Sequence, residues 1–261
     1  MNQAQRRLFL LQSLLKEQPR SVDLDIPTDT DSQRLLLRGL MNIRNPQPID
    51  ADFLTVQDDY LQGELTAKGI TDIENLAPVA PGLYLWQGDI TTIKCDAIVN
   101  AANSGMTGCY IPNHRCIDNA IHTYAGVELR LACGKLMERQ GHPELTGQAK
   151  ITPAFNLPCQ YVLHTVGPII SGRVTKEDKE LLASCYRSCL GLAAKNGLES
   201  VAFCCISTGE FHFPNEQAAQ IAVETVKRFM NTKETSVKKV IFNVFKDLDK
   251  EIYARLLGAN E

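Results

Sequence analysis

The stretch whose reading decides the fold is Gly88 to Gly105, GDITTIKCDAIVNAANSG. Ala97, Ile98 and Val99 form an apolar β-type run that stops at two asparagines, Asn100 and Asn103, bracketing two alanines. Small residues at a strand end let a ligand approach the backbone, while the two amides bring polar groups to the same place. The alternative is that both asparagines cap a turn. Asp89, just after another apolar run, can accept from an exocyclic amine such as that of adenine, or can itself cap a turn.

Outward from this stretch, β-type runs alternate with helical patterns. The spacing predicts strands at Tyr84 to Gln87, Ala97 to Val99, Lys150 to Phe155, Tyr161 to Thr165, Val201 to Ile206 and Val240 to Phe245. Helices fit at Asp118 to Gln140, with a break at Gly126, at Glu177 to Lys195, at Asn215 to Met230, and from Asp249 onward. This alternation implies an α/β fold, a three-layer α/β/α domain with a mixed central sheet, in which ligands bind at the carboxyl ends of strands.

The first 75 or so residues read differently. Leu8, Leu11 and Leu15 share one helical face, Leu36, Leu40 and Ile43 a second, and Phe53, Val56 and Tyr60 a third. Three amphipathic helices are expected, the second opened by a capping box of Thr30 and Gln33 after the turn-rich loop PRSVDLDIPTDT, the third running from Asp50 to Gly69. This part has no cysteine or histidine, so packing rather than chemistry is expected of it. The division falls at a helical extension, 1–76, and an α/β domain, 77–261.

With 27 Lys and Arg against 30 Asp and Glu, the net charge of −3 offers no basic field for a nucleic-acid backbone. No run approaches a membrane span, and the leucine-rich start, interrupted by Gln12 and Ser13, lacks a small-residue cleavage site. Nine cysteines, Cys204 and Cys205 adjacent, suggest a reducing, cytoplasmic setting with most thiols in the core.

Two further stretches bear on chemistry. In SVAFCCISTGEFHFP, a buried strand runs into Ser207, Thr208 and Gly209, whose amides and hydroxyls can wrap a diphosphate, with Phe211 and Phe213 as apolar surfaces; an ordinary strand-to-helix loop is the plain alternative. In GCYIPNHRCID, Cys109, His114 and Cys116 have a spacing that lets one loop bind one zinc ion, with Pro112 and Asn113 turning the chain between them. Spacing alone leaves open a polar turn with buried thiols. A fourth ligand, which would favour a structural site, could come from Cys133, His122, His142 or His164, although His122 also suits a packed helix.

Taken in order, GDITTIKCDAIVNAANSG, AIHTYAG, GQAKITPAFNLPCQYVLHTVGP and ISTGEFHFPNEQAA resemble the macrodomain family over about residues 82 to 261, and much of the pattern is similar to its MacroD-type hydrolase branch. The resemblance implies ADP-ribose lying across the strand ends. Asp89 would take the adenine amine with Ile90 beside it, and Asn103 the distal ribose. Ser207, Thr208, Gly209, Glu210 and Phe211 would form the diphosphate and ribose loop, and Phe245 would pack on adenine. Ile117, Asp118 and Asn119 would meet the ligand at the start of the following helix, with Asp118 and Asn103 catalytic. MacroD-type members carry a glycine-rich run before that aspartate. Here MTGCYIPNHRCI replaces it, which resembles the zinc-containing macrodomains, a microbial subgroup with an N-terminal helical extension.

The resemblance therefore implies a zinc-dependent hydrolase that removes mono-ADP-ribose from modified proteins. Two thiolates and a neutral imidazole cancel the ion's formal charge, so zinc is expected to orient the distal ribose or polarise a hydroxyl or water, not to generate a strong hydroxide. The alternatives are a reader of ADP-ribosylated protein with a structural zinc, and a deacetylase of O-acetyl-ADP-ribose. A sirtuin-type ADP-ribosyltransferase as the opposing activity and a lipoyl-carrier protein as target are implied by the resemblance alone.

Overall fold

Helices α1 (Gln3–Lys16), α2 (Thr30–Ile43) and α3 (Ala51–Lys68) precede the α/β part of the chain. There the strands are β1 (Thr71–Asp72), β2 (Leu83–Gln87), β3 (Ile93–Lys94), β4 (Ala97–Ala102), β5 (Ala149–Pro153), β6 (Tyr161–Val166), β7 (Ser200–Phe203) and β8 (Lys239–Val244). The remaining helices are α4 (Ile117–Ala125), α5 (Val127–Gln140), α6 (Lys176–Lys195), α7 (Asn215–Met230) and α8 (Asp247–Leu257). The structure, a computed structural model, describes residues 1–19, 25–231 and 235–258; residues 20–24 of the predicted turn-rich loop lie outside them.

Six strands form one sheet in the order β2-β8-β7-β4-β6-β5, parallel throughout except for the antiparallel β5–β6 pair. The sheet is therefore mixed, and its apolar runs are the continuous kind that both-face burial requires. β4 and β7 pair only at Ala97 with Val201 and Ile98 with Ala202, whereas β4 stays paired with β6 as far as Ala102 and Val166. This corrects two expected ends. β4 runs on past Val99 because β6 holds it, and β7 stops at Phe203, not Ile206, because the strands splay. The splay opens a crevice at the carboxyl ends of the parallel strands.

The extension has its own core of Leu10, Leu11, Leu14, Leu37, Leu40, Met41, Phe53, Val56, Tyr60 and Leu61, joined by Val127 of α5. The third predicted face is found as expected, but the first two are rotated. Arg7 is buried with Gln33 Oε1 2.9 Å from its Nε, Leu10 and Leu14 are buried beside Leu11 while Leu8 and Leu15 are only partly so, and on α2 Leu37 is buried while Ile43 is exposed. The predicted capping box is also displaced: Asp29 caps α2 by accepting from Ser32 N at 2.8 Å, and Gln33 is committed to Arg7 and Pro27 O.

Docking between extension and sheet is polar and specific. Gln57 of α3, fully buried, accepts from Val127 N at 2.9 Å. Gly126, at φ +94° and ψ 173°, occupies a region essentially reserved for glycine and separates α4 from α5; a Cβ there would lie 2.6 Å from Gln57 Nε2. Ile73 packs with the core around the sheet and β1 pairs with β3, so the change of packing falls after Gly69.

Candidate functional site

The carboxyl ends of β2, β4, β7 and β8 bring Asp89, Asn103, the 204–213 loop and Phe245 to one edge of the sheet. Beneath Asn103 lies Asp118, in the first turn of α4 and only 4% exposed. Asn100 Nδ2 donates to Asp118 Oδ1 at 2.8 Å, and Asn103 Nδ2 donates to Oδ2 at 3.3 Å. Both asparagines of the NAAN run thus hold one carboxylate. Burial pushes the Asp118 carboxyl up to about 6, against the lowering effects of the Asn100 hydrogen bond and the Arg130 charge. A carboxylate poised there is suited to accept a proton near neutral pH.

Behind Asp118, His122, Cys133 and His164 place their ligand atoms within 4.8 Å of one another in a fully buried cluster. His164 Nδ1 lies 3.2 Å from Asn100 Nδ2 and its Nε2 lies 2.9 Å from Thr152 Oγ1, an arrangement that suits the neutral Nε2–H tautomer. Burial depresses the pKa of both histidines, His164 to about 3. They are neutral packing around the carboxylate, with His122 Nε2 3.6 Å from Asp118 Oδ1.

The Cys109, His114 and Cys116 ligand atoms also lie within 4.8 Å of one another, partly exposed, and among the described residues no fourth Cys, His, Asp or Glu joins them. Cys109 Sγ is 3.5 Å from His114 Nδ1. For tetrahedral zinc with Zn–S near 2.3 Å and Zn–N near 2.05 Å, the S···N edge is about 3.5 Å, so the donor pair already has the separation the ion imposes. Burial pushes the Cys116 thiol up to about 12, opposed by the Asn119 N–H and reinforced by the neighbouring Cys109 and Asp118 charges; a cation would reverse that balance. His114 Nε2 faces Glu210 Oε1 at 3.6 Å, placing a carboxylate behind a metal-type histidine. The residues fit zinc. His122, Cys133 and His164 belong to the separate buried cluster, and His142 bonds instead with Pro143 O at 2.9 Å.

In the 204–213 loop, Ser207 adopts φ +65° and its buried hydroxyl has no hydrogen-bond partner. Among the described residues the backbone amides of Ser207, Gly209, Glu210 and Phe211 also donate to no protein acceptor. Several unpaired donors in one turn make an anion-binding concavity. Phe213, expected to offer an apolar surface, is instead 1% exposed and part of the core.

At the other end, Asp89 caps a turn, the plain alternative of its two readings, and pairs its second oxygen with Lys68. Oδ1 caps the short helical turn Ile90–Thr92, accepting from Thr91 N at 3.0 Å and Thr91 Oγ1 at 2.6 Å, while Oδ2 faces Lys68 Nζ at 3.2 Å. Burial raises its pKa, but the Thr91 hydroxyl, Lys68 and the Thr91 amide together hold it below the ordinary value. Ile90 has its side chain in the core, and Ile117 is partly buried against it, whereas Phe245 stands 77% exposed beside this end.

The extension does more than pack. Lys68 lies over the Tyr124 ring, and Asn42 Oδ1 accepts from Asn113 N at 3.0 Å. Arg38 reaches Asn119 Oδ1 with Nε at 3.1 Å and Nη2 at 2.8 Å, and donates from Nη2 to His114 O at 3.0 Å. Asn119 is fully buried and its amide also donates to Ile111 O at 3.0 Å, so its side chain faces the loop's own backbone. Arg130 fastens the end of α2 to Cys109 O, 3.2 Å from Nη2; Gly108, at φ +86°, lets the chain pass the His122 ring, where a Cβ would meet Cγ at 2.8 Å. Asn100 was visible in the NAAN run. Arg38, Asn42 and Arg130 carried no local signal, because their partners are brought to them only by folding.

A macro domain family profile matches residues 99–222. The chain is 56% identical to a protein named protein-ADP-ribose hydrolase from Treponema medium over 99% of this chain and all of that one, and 48% identical to a Staphylococcus aureus protein of the same name over 94% and 92%. A Trypanosoma brucei macrodomain crystallised with ADP-ribose superposes with a TM-score of 0.66 at 29% identity, covering 84% of this chain and 95% of that one. The fold, the strand-end crevice and these full-length likenesses agree: the chain belongs to the macro domain family and, within it, with the protein-ADP-ribose hydrolases.

Proposed function

We propose that the protein removes mono-ADP-ribose from modified proteins with Asp118 as general base, Asn103 on the distal ribose, and Cys109, His114 and Cys116 holding a zinc ion. The observation that carries this reading is Asp118, buried under Asn103 with its carboxyl raised to about 6, two positions from the last residue of the Cys/His/Cys set. The unpaired amides of Ser207, Gly209, Glu210 and Phe211 and the Ser207 hydroxyl take the diphosphate. Phe245 packs on adenine, and Asp89 Oδ2, shared with Lys68, accepts from its amine.

Asp118 Oδ1 takes the shorter bond, 2.8 Å from Asn100, and Oδ2 the longer one, 3.3 Å from Asn103; Oδ2 becomes the acting oxygen when the Asn103 amide turns to the distal ribose. A water bonds to the anomeric carbon of the distal ribose as its proton passes to Oδ2. The bond from that carbon to the protein side chain breaks, its electron pair leaving with the side-chain atom, which takes up a proton. Holding water and ribose in one geometry supplies much of the rate. Cys109, His114 and Cys116 would hold the zinc ion, which, with its charge offset by two thiolates, would supply orientation of a ribose hydroxyl or polarisation of a water.

Among the described residues no helix is long and apolar enough to cross a membrane, and the nine cysteines are free, which supports a reducing, cytoplasmic setting. An ADP-ribosylated lipoyl-carrier protein is the first acceptor to try, and a sirtuin-type transferase the activity to pair with it. The test incubates ADP-ribosylated protein with wild type, Cys116→Ala and Asp118→Ala, measuring binding and released ADP-ribose separately. Variants that fold, bind and release at the wild-type rate would overturn the assignment. A wild type that binds without releasing would make the protein a reader, and acetate release from O-acetyl-ADP-ribose alone would make it a deacetylase.

A further inference from the structure

The Cys/His/Cys loop is held by Asn103, Asn119 and Arg130 of the α/β domain and, from outside it, by Arg38 and Asn42 of α2. The Arg38 fork on α2 meets Asn119 Oδ1 twice and the His114 carbonyl once. Asn119 passes this hold on: its Nδ2 donates to Ile111 O, and its backbone N–H donates to Cys116 Sγ at 3.4 Å. The guanidinium therefore holds the loop directly at His114 and, through the Asn119 side chain, at Ile111, while seating the residue whose N–H caps onto Cys116 Sγ. Two of these residues are zinc ligands in the reading above, and Asp118 sits between Cys116 and Asn119.

We infer that Arg38, in the helical extension, is a positioning residue for the hydrolase: through Asn119 and the His114 carbonyl it fixes His114 and Cys116 against Asp118. A planar fork suits this task, since one group must hold a side-chain amide and a backbone carbonyl in a set geometry, which a lysine ammonium does not reproduce. Outer groups that orient metal ligands commonly change metal affinity 10–100-fold when removed. The extension is then part of the active site's architecture. The inference rests on the zinc reading for its metal consequence, but the clamp itself does not need the ion.

The experiment uses the full chain as wild type, Arg38→Ala, Arg38→Lys and Arg34→Ala, the last removing an arginine that pairs with Glu64 inside the extension. Backbone hydrogen exchange is followed by mass spectrometry on metal-free protein, and zinc affinity by competition with a chromophoric chelator. Arg38→Ala is expected to speed exchange across residues 108–119 while leaving the sheet and α3 at wild-type rates, and to weaken zinc binding about tenfold or more. Arg38→Lys falls between, and Arg34→Ala matches wild type. Unchanged loop exchange in Arg38→Ala, or equal acceleration throughout α1–α3, overturns the inference whatever the zinc result. A wild type that holds no zinc sinks the metal reading, and loop exchange then decides the clamp alone.

Discussion

Lowering the pH from 7 to 5 is a direct test of Asp118. With its carboxyl near 6, about 91% is ionised at pH 7 and about 9% at pH 5, so single-turnover release of ADP-ribose falls about tenfold. A carboxylate at its ordinary value would remain about 90% ionised at pH 5 and release would barely change. Zinc retention, followed at each pH, separates loss of the ion from protonation of Asp118. Asn100→Ala supplies the second arm. It removes a donor that favours the ionised form, and at about 1.5 kcal/mol for a hydrogen bond to a charged group the midpoint rises by about one unit. A midpoint at 4, or one that Asn100→Ala fails to move, refutes the reasoning.

The same carboxyl makes a stability prediction of opposite sense. Its folded pKa lies above its unfolded value of 3.8, so its contribution is most favourable below pH 3.8, declines as pH rises through about 6, and then stays constant. Asp118→Asn, inactive, should therefore be more stable than wild type at pH 7, by up to about 3 kcal/mol for a shift of about two units, and gain nothing at pH 4, as read by urea denaturation. Phe245→Ala should weaken ADP-ribose binding by about 1–3 kcal/mol, the range for losing an aromatic platform under a base, with Tm unchanged because the ring is exposed; calorimetric titration measures it. Gly126→Ala should cost about 2–4 kcal/mol of stability, combining a glycine-only backbone angle with a clash on Gln57, and a denaturation midpoint like wild type would refute the docking described. Glu210→Gln should weaken zinc binding less than tenfold, since the Glu210 side chain facing His114 is 69% exposed.

What the sequence could be read for followed the range of the physics. Strand and helix periodicity is local, so all six strands of the sheet and every helix were legible, down to the α4–α5 break at Gly126. Their ends were less so, because β7 stops and β4 continues according to which neighbour each strand keeps. The faces of α1 and α2 were read a little off, and the burial of Arg7 against Gln33 is a pairing 26 positions apart that no hydrophobic pattern encodes. In the site, the Cys/His/Cys spacing and the NAAN run are local and could be read directly. The clamp from Arg38 to Asn119 spans 81 positions and became visible only once α2 had packed beside α4.

That clamp also bears on why a loop lacking the glycine-rich run can serve this crevice. Glycines let backbone amides turn toward phosphate, whereas residues 109–117 use their backbone otherwise: the carbonyls of Cys109, Ile111 and His114 accept from Arg130, Asn119 and Arg38, and Asn113 N donates to Asn42. On the other side of the crevice, the amides of Ser207, Gly209, Glu210 and Phe211, beside the unpaired Ser207 hydroxyl, are the donors gathered in one turn for an anion. The side chains of Cys109, His114 and Cys116 bring their ligand atoms within 4.8 Å of one another, the last of them two residues before Asp118. A loop so divided needs its backbone held from outside before its side chains can define a site, and α2 is the element placed to hold it.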